Sequence, residues 1–339
     1  MGQTKKNVQV ESLRAITILM IVFYHYCFRF GELYGIAYKA PFMQRWGTIG
    51  VGMFFILSGF YFIPEDGSHF KLIPFYVKRI IRLYPAYFIG VITTFIVVSL
   101  FKLPGREISI FEFLLNLIMV NGYFGIKYVD GAHWYLTYLF SAIFIIGLVI
   151  KSKIYKKPLF YIFWLTIGFV SEYFVILNIL PTNLLTEFQI LTCGGYAPYI
   201  IIGITLKKIF LNIGNYSMNL VIIVLSCTEL LFLKDIWILL AAAVSIVILL
   251  AVVKEKLLFL NWKPLVRLGS ISYILYLLHQ NIGYCILLLL GQVFQAYHQW
   301  YVLITVSIIV AFSFFLNKYL VVPFQNVFEK ISFKWFRWE

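Results

Sequence analysis

The sequence predicts an all-α polytopic membrane protein, with residues 1–339 forming one membrane-embedded domain of about ten transmembrane helices. Of its 339 residues, 62% are hydrophobic and only 12% are charged, whereas a soluble domain is about half apolar and a quarter charged. This number of charges is too small to cover the surface of a water-soluble fold of this size. The lipid bilayer must therefore form part of the solvent of this protein. The apolar residues also occur in stretches long enough to cross a bilayer.

Ten apolar stretches have the length of a membrane span. We predict spans at 11–30, 47–63, 84–101, 132–150, 158–177, 190–206, 217–233, 235–252, 271–291 and 300–322. The third span follows a basic segment, 71–82, which we interpret as lying outside it. The apolar segment 108–122 is shorter and contains polar residues, so we interpret it as a re-entrant or interfacial helix and not as an eleventh span.

The distribution of basic residues gives the orientation. With ten spans and the N-terminus inside, nineteen of the 28 Lys and Arg residues fall on the cytoplasmic side and seven outside, as the positive-inside rule expects. An eleventh span at 108–122 would move the basic loop 151–157 outside. We therefore expect both termini to be cytoplasmic. Topology and contact with anionic membrane lipid account for the net charge of +14, so no nucleic-acid partner is expected.

The four cysteines and the N-terminus suggest no further feature. The cysteines lie singly in apolar stretches, without metal-ligand spacing, so we predict neither a disulfide framework nor a metal site. The first apolar stretch ends in aromatic residues and has no cleavage site, so we interpret it as a retained first span.

Two polar residues in the first span are candidates for function. A charged side chain inside a membrane is costly, so it is a functional candidate by default. Arg14 and His25 are eleven residues apart, which places them on one helix face about 16 Å from each other. A groove entered from the cytoplasm would let Arg14 neutralise an anionic ligand and His25 accept and return a proton. Alternatively, Arg14 reaches the membrane surface and His25 forms an interhelical hydrogen bond.

Further polar candidates are a basic cluster before the third predicted span and a histidine in the ninth. Lys78, Arg79 and Arg82 are spaced to share a helical face at the cytoplasmic side, where they could bind phosphates. Topology-setting charge and lipid contact would explain them equally well. His279 lies inside the ninth span, and a lone histidine there is more often structural.

Five motifs, taken in order, resemble those of acyltransferase family 3, the multi-pass O-acyltransferases of bacterial surface polysaccharides. They are Arg-x10-His in 11–25, the glycine-rich FFILSGF helix in 50–60, R-x-x-R-x-x-P in 75–85, H-W-Y-L in 133–136 and ISYILYLLH in 271–279. These core motifs span 11–280, which is most of the chain. One departure is Leu139, where many members have a glutamate that would be a second catalytic acid.

The resemblance implies an activity and its substrates. It implies a cytoplasmic acyl-CoA, most simply acetyl-CoA, as co-substrate with no permanently bound cofactor. It also implies a hydroxyl of an extracytoplasmic polysaccharide or lipid-linked glycan as acceptor, and a location in the bacterial cytoplasmic membrane. His25 would be the essential base with Arg14 as its partner, and Lys78, Arg79 and Arg82 would lie near the donor phosphates.

The remaining site residues implied by the resemblance are acceptor-binding or supporting: Trp134, Tyr135, His279 and Ser58. A different hypothesis is a transporter or flippase for a glycan or lipid-linked sugar without acyl transfer, and another is a permease with His25 in a proton relay. The sequence leaves open which glycan, which acyl chain and which oligomeric state apply.

Overall fold

The fold is a bundle of helices. The structure, a computed structural model, describes residues 7–35, 40–65, 70–177, 182–294 and 299–336, and every regular element in these ranges is helical. The α-helices are α1 Val8–Tyr24, α2 Phe30–Tyr34, α3 Trp46–Phe60, α4 Leu72–Phe101, α5 Ile110–Leu117, α6 Trp134–Lys151, α7 Pro158–Ile176, α8 Thr182–Thr192, α9 Ala197–Phe210, α10 Tyr216–Leu233, α11 Ile236–Val253, α12 Lys263–Ser270, α13 Ser272–Val293, α14 Gln299–Leu316 and α15 Val322–Phe336.

The multi-span, all-α prediction is confirmed, since each of the ten predicted spans coincides with helical structure. Nine helical segments in the described ranges are long and apolar enough to cross a membrane. The second predicted span is α3, whose 15 residues measure about 22 Å along the axis. That is less than the roughly 30 Å of a hydrocarbon core. The side of the membrane on which each terminus lies stays a prediction.

The third span begins earlier than predicted. Helix α4 begins at Leu72. The basic segment that we predicted to lie outside the span therefore forms the first turns of this helix. Pro85 lies inside the helix. Long basic side chains can extend along a helix to the membrane surface, so charge alone did not mark the end of the span. By contrast α5 has 8 residues, too few to cross a bilayer, which confirms that 108–122 is not an eleventh span.

The sixth span is interrupted. The sequence analysis placed one helix at 190–206, whereas α8 ends at Thr192, a short 3-10 turn follows over Gly194–Tyr196, and α9 begins at Ala197. Cys193, at the break, has a φ of 65°. A Cβ on Gly195 would lie 3.1 Å from the carboxyl carbon of Glu172. The glycine at this point therefore lets the backbone approach that carboxylate.

Glycines also bring the central helices into close contact. A Cβ on Gly59 of α3 would overlap the carbonyl oxygen of Ile200 in α9, and a Cβ on Gly203 of α9 would overlap the carbonyl oxygen of Ile56. Helix α1 packs against α3, α12 and α13. This arrangement places the polar residues of α1 in the interior of the bundle.

Candidate functional site

His25 begins a local change in helix geometry. The residues His25–Arg29 form a π-helical turn that joins α1 to α2. A π-turn accommodates one more residue than an α-helical turn, and such turns are frequent at functional sites. His25 is half-buried.

The imidazole of His25 contacts two elements. Its Nδ1 lies 2.9 Å from the hydroxyl of Tyr284 on α13, and its ring centroid lies 4.9 Å from that of His279. Among the described residues, no group forms a hydrogen bond with His25 Nε2. The ring is therefore held through one nitrogen while the other remains available.

The hydrogen bonds of His279 fix its tautomer. Its Nδ1 lies 2.7 Å from the carbonyl oxygen of Tyr276, and a carbonyl only accepts, so Nδ1 carries the proton. In the neutral ring Nε2 then has a lone pair, and this buried atom has no partner among the described residues. The hydroxyl of Tyr26 donates to the His279 carbonyl oxygen at 2.6 Å, which ties the π-turn to α13. The structure thus brings the two predicted histidines together.

A buried carboxylate lies beside this pair. Asp130 is fully buried, and its two oxygens accept the backbone N–H groups of Ala132 and Asn281, each at 2.8 Å. The Asn281 amide donates to the carbonyl oxygen of Val129 at 2.9 Å. The charge of Asp130 acts on His279. Asp130 therefore joins the start of α6 to the middle of α13 and supplies negative charge there.

His133 strengthens the same connection. Its Nε2 donates to the carbonyl oxygen of Leu277 at 3.0 Å, and the hydroxyl of Tyr276 donates to the carbonyl oxygen of Ala132. His133 and Asp130 together hold one turn of α13 from both ends. The sequence analysis did not single out Asp130, Asn281 or Tyr284, although three polar residues next to its histidine motifs were a signal that could have identified them.

Arg14 lies in a second polar compartment. Its Nη1 is 3.0 Å from Glu11 Oε1, and 21% of its side chain is exposed. The exposed Arg82 of α4 lies close enough for the charges of Arg14 and Glu11 to act on it. We call Arg14, Glu11 and Arg82, with Ser58 and Tyr135, the Arg14 compartment. It joins two of the residues that were predicted to contact the donor.

Ser58 and Tyr135 connect the Arg14 compartment to the histidines. Their hydroxyls lie 3.2 Å apart, and the charge of Arg14 acts on Tyr135. The ring of Tyr135 lies 5.6 Å from that of Tyr276, which lies 5.6 Å from that of His279. Tyr135 therefore lies between Ser58 and Tyr276 in the interior, and its role in acceptor binding stays a prediction.

Arg79 and Lys78 are placed differently from Arg82. The Arg79 guanidinium lies 3.5 Å from the centre of the Phe75 ring, and its nitrogens donate to the carbonyl oxygens of Phe75 and Phe62 at 3.1 and 3.5 Å. Such cation–π and carbonyl contacts stabilise the start of α4. Lys78 is exposed, one turn before Arg82. Of the three basic residues, Arg82 is the one that lies within electrostatic range of Arg14.

Trp134 belongs to a cluster of aromatic rings. Its ring lies 4.9 Å from that of Tyr196 and 5.7 Å from that of Tyr138, and the two tyrosine rings are 5.0 Å apart. All three side chains are half-buried. We call these three residues the aromatic wall.

Comparison with known proteins identifies the family. The model of acyltransferase family 3, described as an acyltransferase domain, matches residues 7–318. The chain belongs to this acyltransferase family. No curated protein and no solved structure matches the chain. The match covers both histidines of the pair, the Arg14 compartment and the aromatic wall, so all of these features lie within the acyltransferase domain.

Proposed function

We propose that this acyltransferase moves an acyl group, most simply acetyl, from acyl-CoA to a hydroxyl of a glycan, with the reaction at His25. The observation that carries the proposal is the pair His25 and His279. Their rings are 4.9 Å apart inside the bundle, and each has one nitrogen held by Tyr284 or a backbone carbonyl. An imidazole so oriented presents its other nitrogen for proton transfer, which is the arrangement required of a general base.

The proposed step balances as follows. When His25 Nδ1 donates to the Tyr284 oxygen, His25 Nε2 carries a lone pair and takes the proton of the acceptor hydroxyl. The hydroxyl oxygen forms a bond to the thioester carbonyl carbon, and the carbon–sulfur bond then breaks. The proton passes from His25 to the departing thiolate, which leaves the imidazole neutral for the next cycle. A covalent acyl-histidine is the less favoured variant.

Asp130 and His279 support the charged stage of this step. Protonation of His25 places a positive charge in an interior of low dielectric, where a nearby negative charge is worth more than in water. Asp130 is a buried carboxylate held by two N–H groups, and it acts on His279, which contacts His25. We assign Asp130 as a positioning residue that orients α13 and offsets part of the cost of placing positive charge in this interior.

The proposed binding of the acyl-CoA donor rests on the Arg14 compartment. It holds two guanidinium groups, those of Arg14 and Arg82, against one carboxylate, that of Glu11, so it keeps a surplus positive charge, and guanidinium is the side-chain group best suited to bind phosphate oxygens. His25 is eleven residues, or about 16 Å, further along the helix. The extended pantetheine arm of acyl-CoA can bridge that separation with its phosphates at Arg14 and its thioester at His25.

The decisive experiment measures acyl transfer to surface glycan in membranes that contain wild type or His25→Ala at equal protein level. Removal of a general base should lower the rate at least about 100-fold. Cys27→Ala is the matched control, because Cys27 lies in the same π-turn and has no proposed part in the chemistry. Full activity in His25→Ala would remove His25 from the reaction.

Thermal unfolding of the wild-type protein distinguishes the enzyme hypothesis from the transporter hypothesis. The family match favours acyl transfer. A ligand that binds the folded state raises its unfolding temperature, so acyl-CoA should stabilise the purified protein. A glycan transporter would show no stabilisation by acyl-CoA.

A further inference from the structure

The aromatic wall has a charged neighbour. The ammonium of Lys234, at the turn between α10 and α11, lies 5.7 Å from the centre of the Tyr196 ring and 3.3 Å from Glu172 Oε1. The other oxygen of Glu172 accepts the Gln189 amide at 2.7 Å and the Gly195 N–H at 3.2 Å. Lys234 is therefore held beside the wall by a carboxylate that two further groups keep in place.

Lys234 also lines a cavity of about 400 Å³. Four other polar residues line this cavity: Gln44, Arg45, Thr48 and Asp235. Arg45 Nη2 lies 3.2 Å from Asp235 Oδ2. Lys234 both lines the cavity and lies against the Tyr196 ring, so the cavity and the aromatic wall adjoin at this residue. Together they make a surface of three rings and several groups that donate or accept hydrogen bonds.

This surface lies near the histidine pair. Thr48 of the cavity follows Gly47, whose missing Cβ leaves room for the ring of Tyr24. The Tyr24 ring is 4.9 Å from that of His25. On the other flank, Trp134 of the wall precedes Tyr135, which leads through Tyr276 to His279. Under the topology that the basic residues predict, the cavity is at the extracytoplasmic end of the bundle, and the wall extends from it toward the interior, where the Trp134 ring lies 6.4 Å from that of Tyr135.

The charges of the surface are paired. Arg45 is bound to Asp235, and Lys234 to Glu172. A ligand carrying a phosphate or carboxylate would have to open one of these pairs to gain a cation, and would leave a carboxylate uncompensated. A ligand with hydroxyls and no net charge can instead hydrogen-bond to both members of each pair, while its ring lies against an aromatic face.

We infer that the cavity and the aromatic wall form the acceptor subsite and bind an uncharged sugar ring of the glycan. This inference rests on the proposed function, and it adds the class of sugar and the residues that select it: Arg45, Asp235, Lys234, Glu172 and Tyr196. Binding there presents a hydroxyl of a neighbouring part of the glycan to His25.

The test uses full-length protein in lipid nanodiscs. The acceptor is surface glycan from the native cells, deacylated with mild base and separated by anion exchange into uncharged and acidic fractions. Acyl transfer from radiolabelled acetyl-CoA to each fraction gives KM for acceptor and for donor. Wild type should label the uncharged fraction, whereas labelling of the acidic fraction alone would overturn the inference.

The variants locate the subsite. Arg45→Gln and Tyr196→Ala should raise KM for the uncharged acceptor at least about 5-fold and leave KM for acetyl-CoA unchanged. Tyr196→Phe keeps the ring, so its KM for the uncharged acceptor should stay close to the wild-type value. This result would show that the change in Tyr196→Ala comes from lost stacking and not from a folding defect. Lys127→Ala is the control, because Lys127 is an exposed cation bonded to the Glu107 carbonyl oxygen and is absent from the cavity lining.

The outcomes distinguish the inference from the proposed function. If wild type labels glycan but Arg45→Gln and Tyr196→Ala keep the wild-type acceptor KM, the subsite is refuted and acyl transfer stands. If wild type labels neither fraction, the proposed function fails and the subsite fails with it.

Discussion

At the scale of single residues, the proposed chemistry depends on which imidazole nitrogen carries a proton. The sequence predicted His25 and His279 as separate candidates, because a histidine within an apolar span is conspicuous. It could not predict that their rings meet at 4.9 Å, since that contact depends on how α1 packs against α13. The sequence analysis did not identify Asp130, because its role depends on hydrogen bonds from two backbone N–H groups. No side-chain pattern predicts such bonds.

Tyr284 provides a test of how His25 is oriented. Tyr284→Phe removes the hydroxyl that bonds to His25 Nδ1 at 2.9 Å and leaves the ring in place. A neutral hydrogen bond contributes about 0.5–1.5 kcal/mol, so the rate should fall about 2- to 10-fold with KM for acyl-CoA unchanged. Steady-state kinetics measure this. Tyr24→Phe is the control, because Tyr24 also contacts the His25 ring and its hydroxyl has no hydrogen bond within the described residues. An equal loss in both variants would argue against an orienting bond.

Arg14 provides a test of the donor end. Arg14→Ala removes a guanidinium from the Arg14 compartment, and a hydrogen bond to a charged group contributes about 1.5–3 kcal/mol. The Kd for acyl-CoA should therefore rise about 10-fold or more, as measured by thermal shift or calorimetry. His25→Ala should change that Kd little. Equal or reversed losses would show that the two residues do not divide binding and chemistry in this way.

At the scale of helices, hydrophobicity predicted where most spans lie, and local backbone changes were beyond it. The π-turn His25–Arg29 has no signature in an apolar stretch, because it results from the tertiary contacts of its side chains. The break before α9 had a cue in Gly194 and Gly195, yet two glycines inside an apolar run are equally compatible with a packed helix. The first turns of α4 were assigned outside the span because their charges resemble those of a loop.

The crossing of α3 and α9 allows a prediction about stability. In Gly203→Ala the new methyl group would overlap the backbone carbonyl oxygen of Ile56, which cannot move aside as a side chain can. Overpacking of this kind costs about 1–3 kcal/mol, so thermal unfolding in detergent should occur at a clearly lower temperature. Gly90→Ala is the comparison, since its nearest contact is the side-chain Cβ of Leu277 at 3.0 Å. Equal stability of the two variants would mean that the helices can separate at little cost.

At the scale of the whole molecule, the site is divided between two ends of the bundle. The Arg14 compartment lies at one end and the cavity at the other. The aromatic wall adjoins both, because the Trp134 ring lies 6.4 Å from that of Tyr135 and the Tyr196 ring contacts Lys234, which lines the cavity. Composition was sufficient to predict the membrane fold, because too few charges are present to cover a soluble protein. The arrangement of these groups required the structure, since no sequence pattern predicts that Tyr135 bonds to Ser58 while Trp134 stacks near Tyr196.

The proposed reaction requires these ends to face opposite sides of the membrane, with the Arg14 compartment toward the cytoplasm where acyl-CoA is found. The basic loops predict this orientation. Single cysteines introduced by Ser152→Cys and Lys127→Cys, in a variant whose four cysteines are replaced by alanine, report it, because both positions are exposed. In intact cells a membrane-impermeant maleimide should label the cysteine at 127, and should label the one at 152 only after permeabilisation. The reverse pattern would place the arginines outside, away from any cytoplasmic donor, and the mechanism would then have to draw its acyl group from a donor on the outer face.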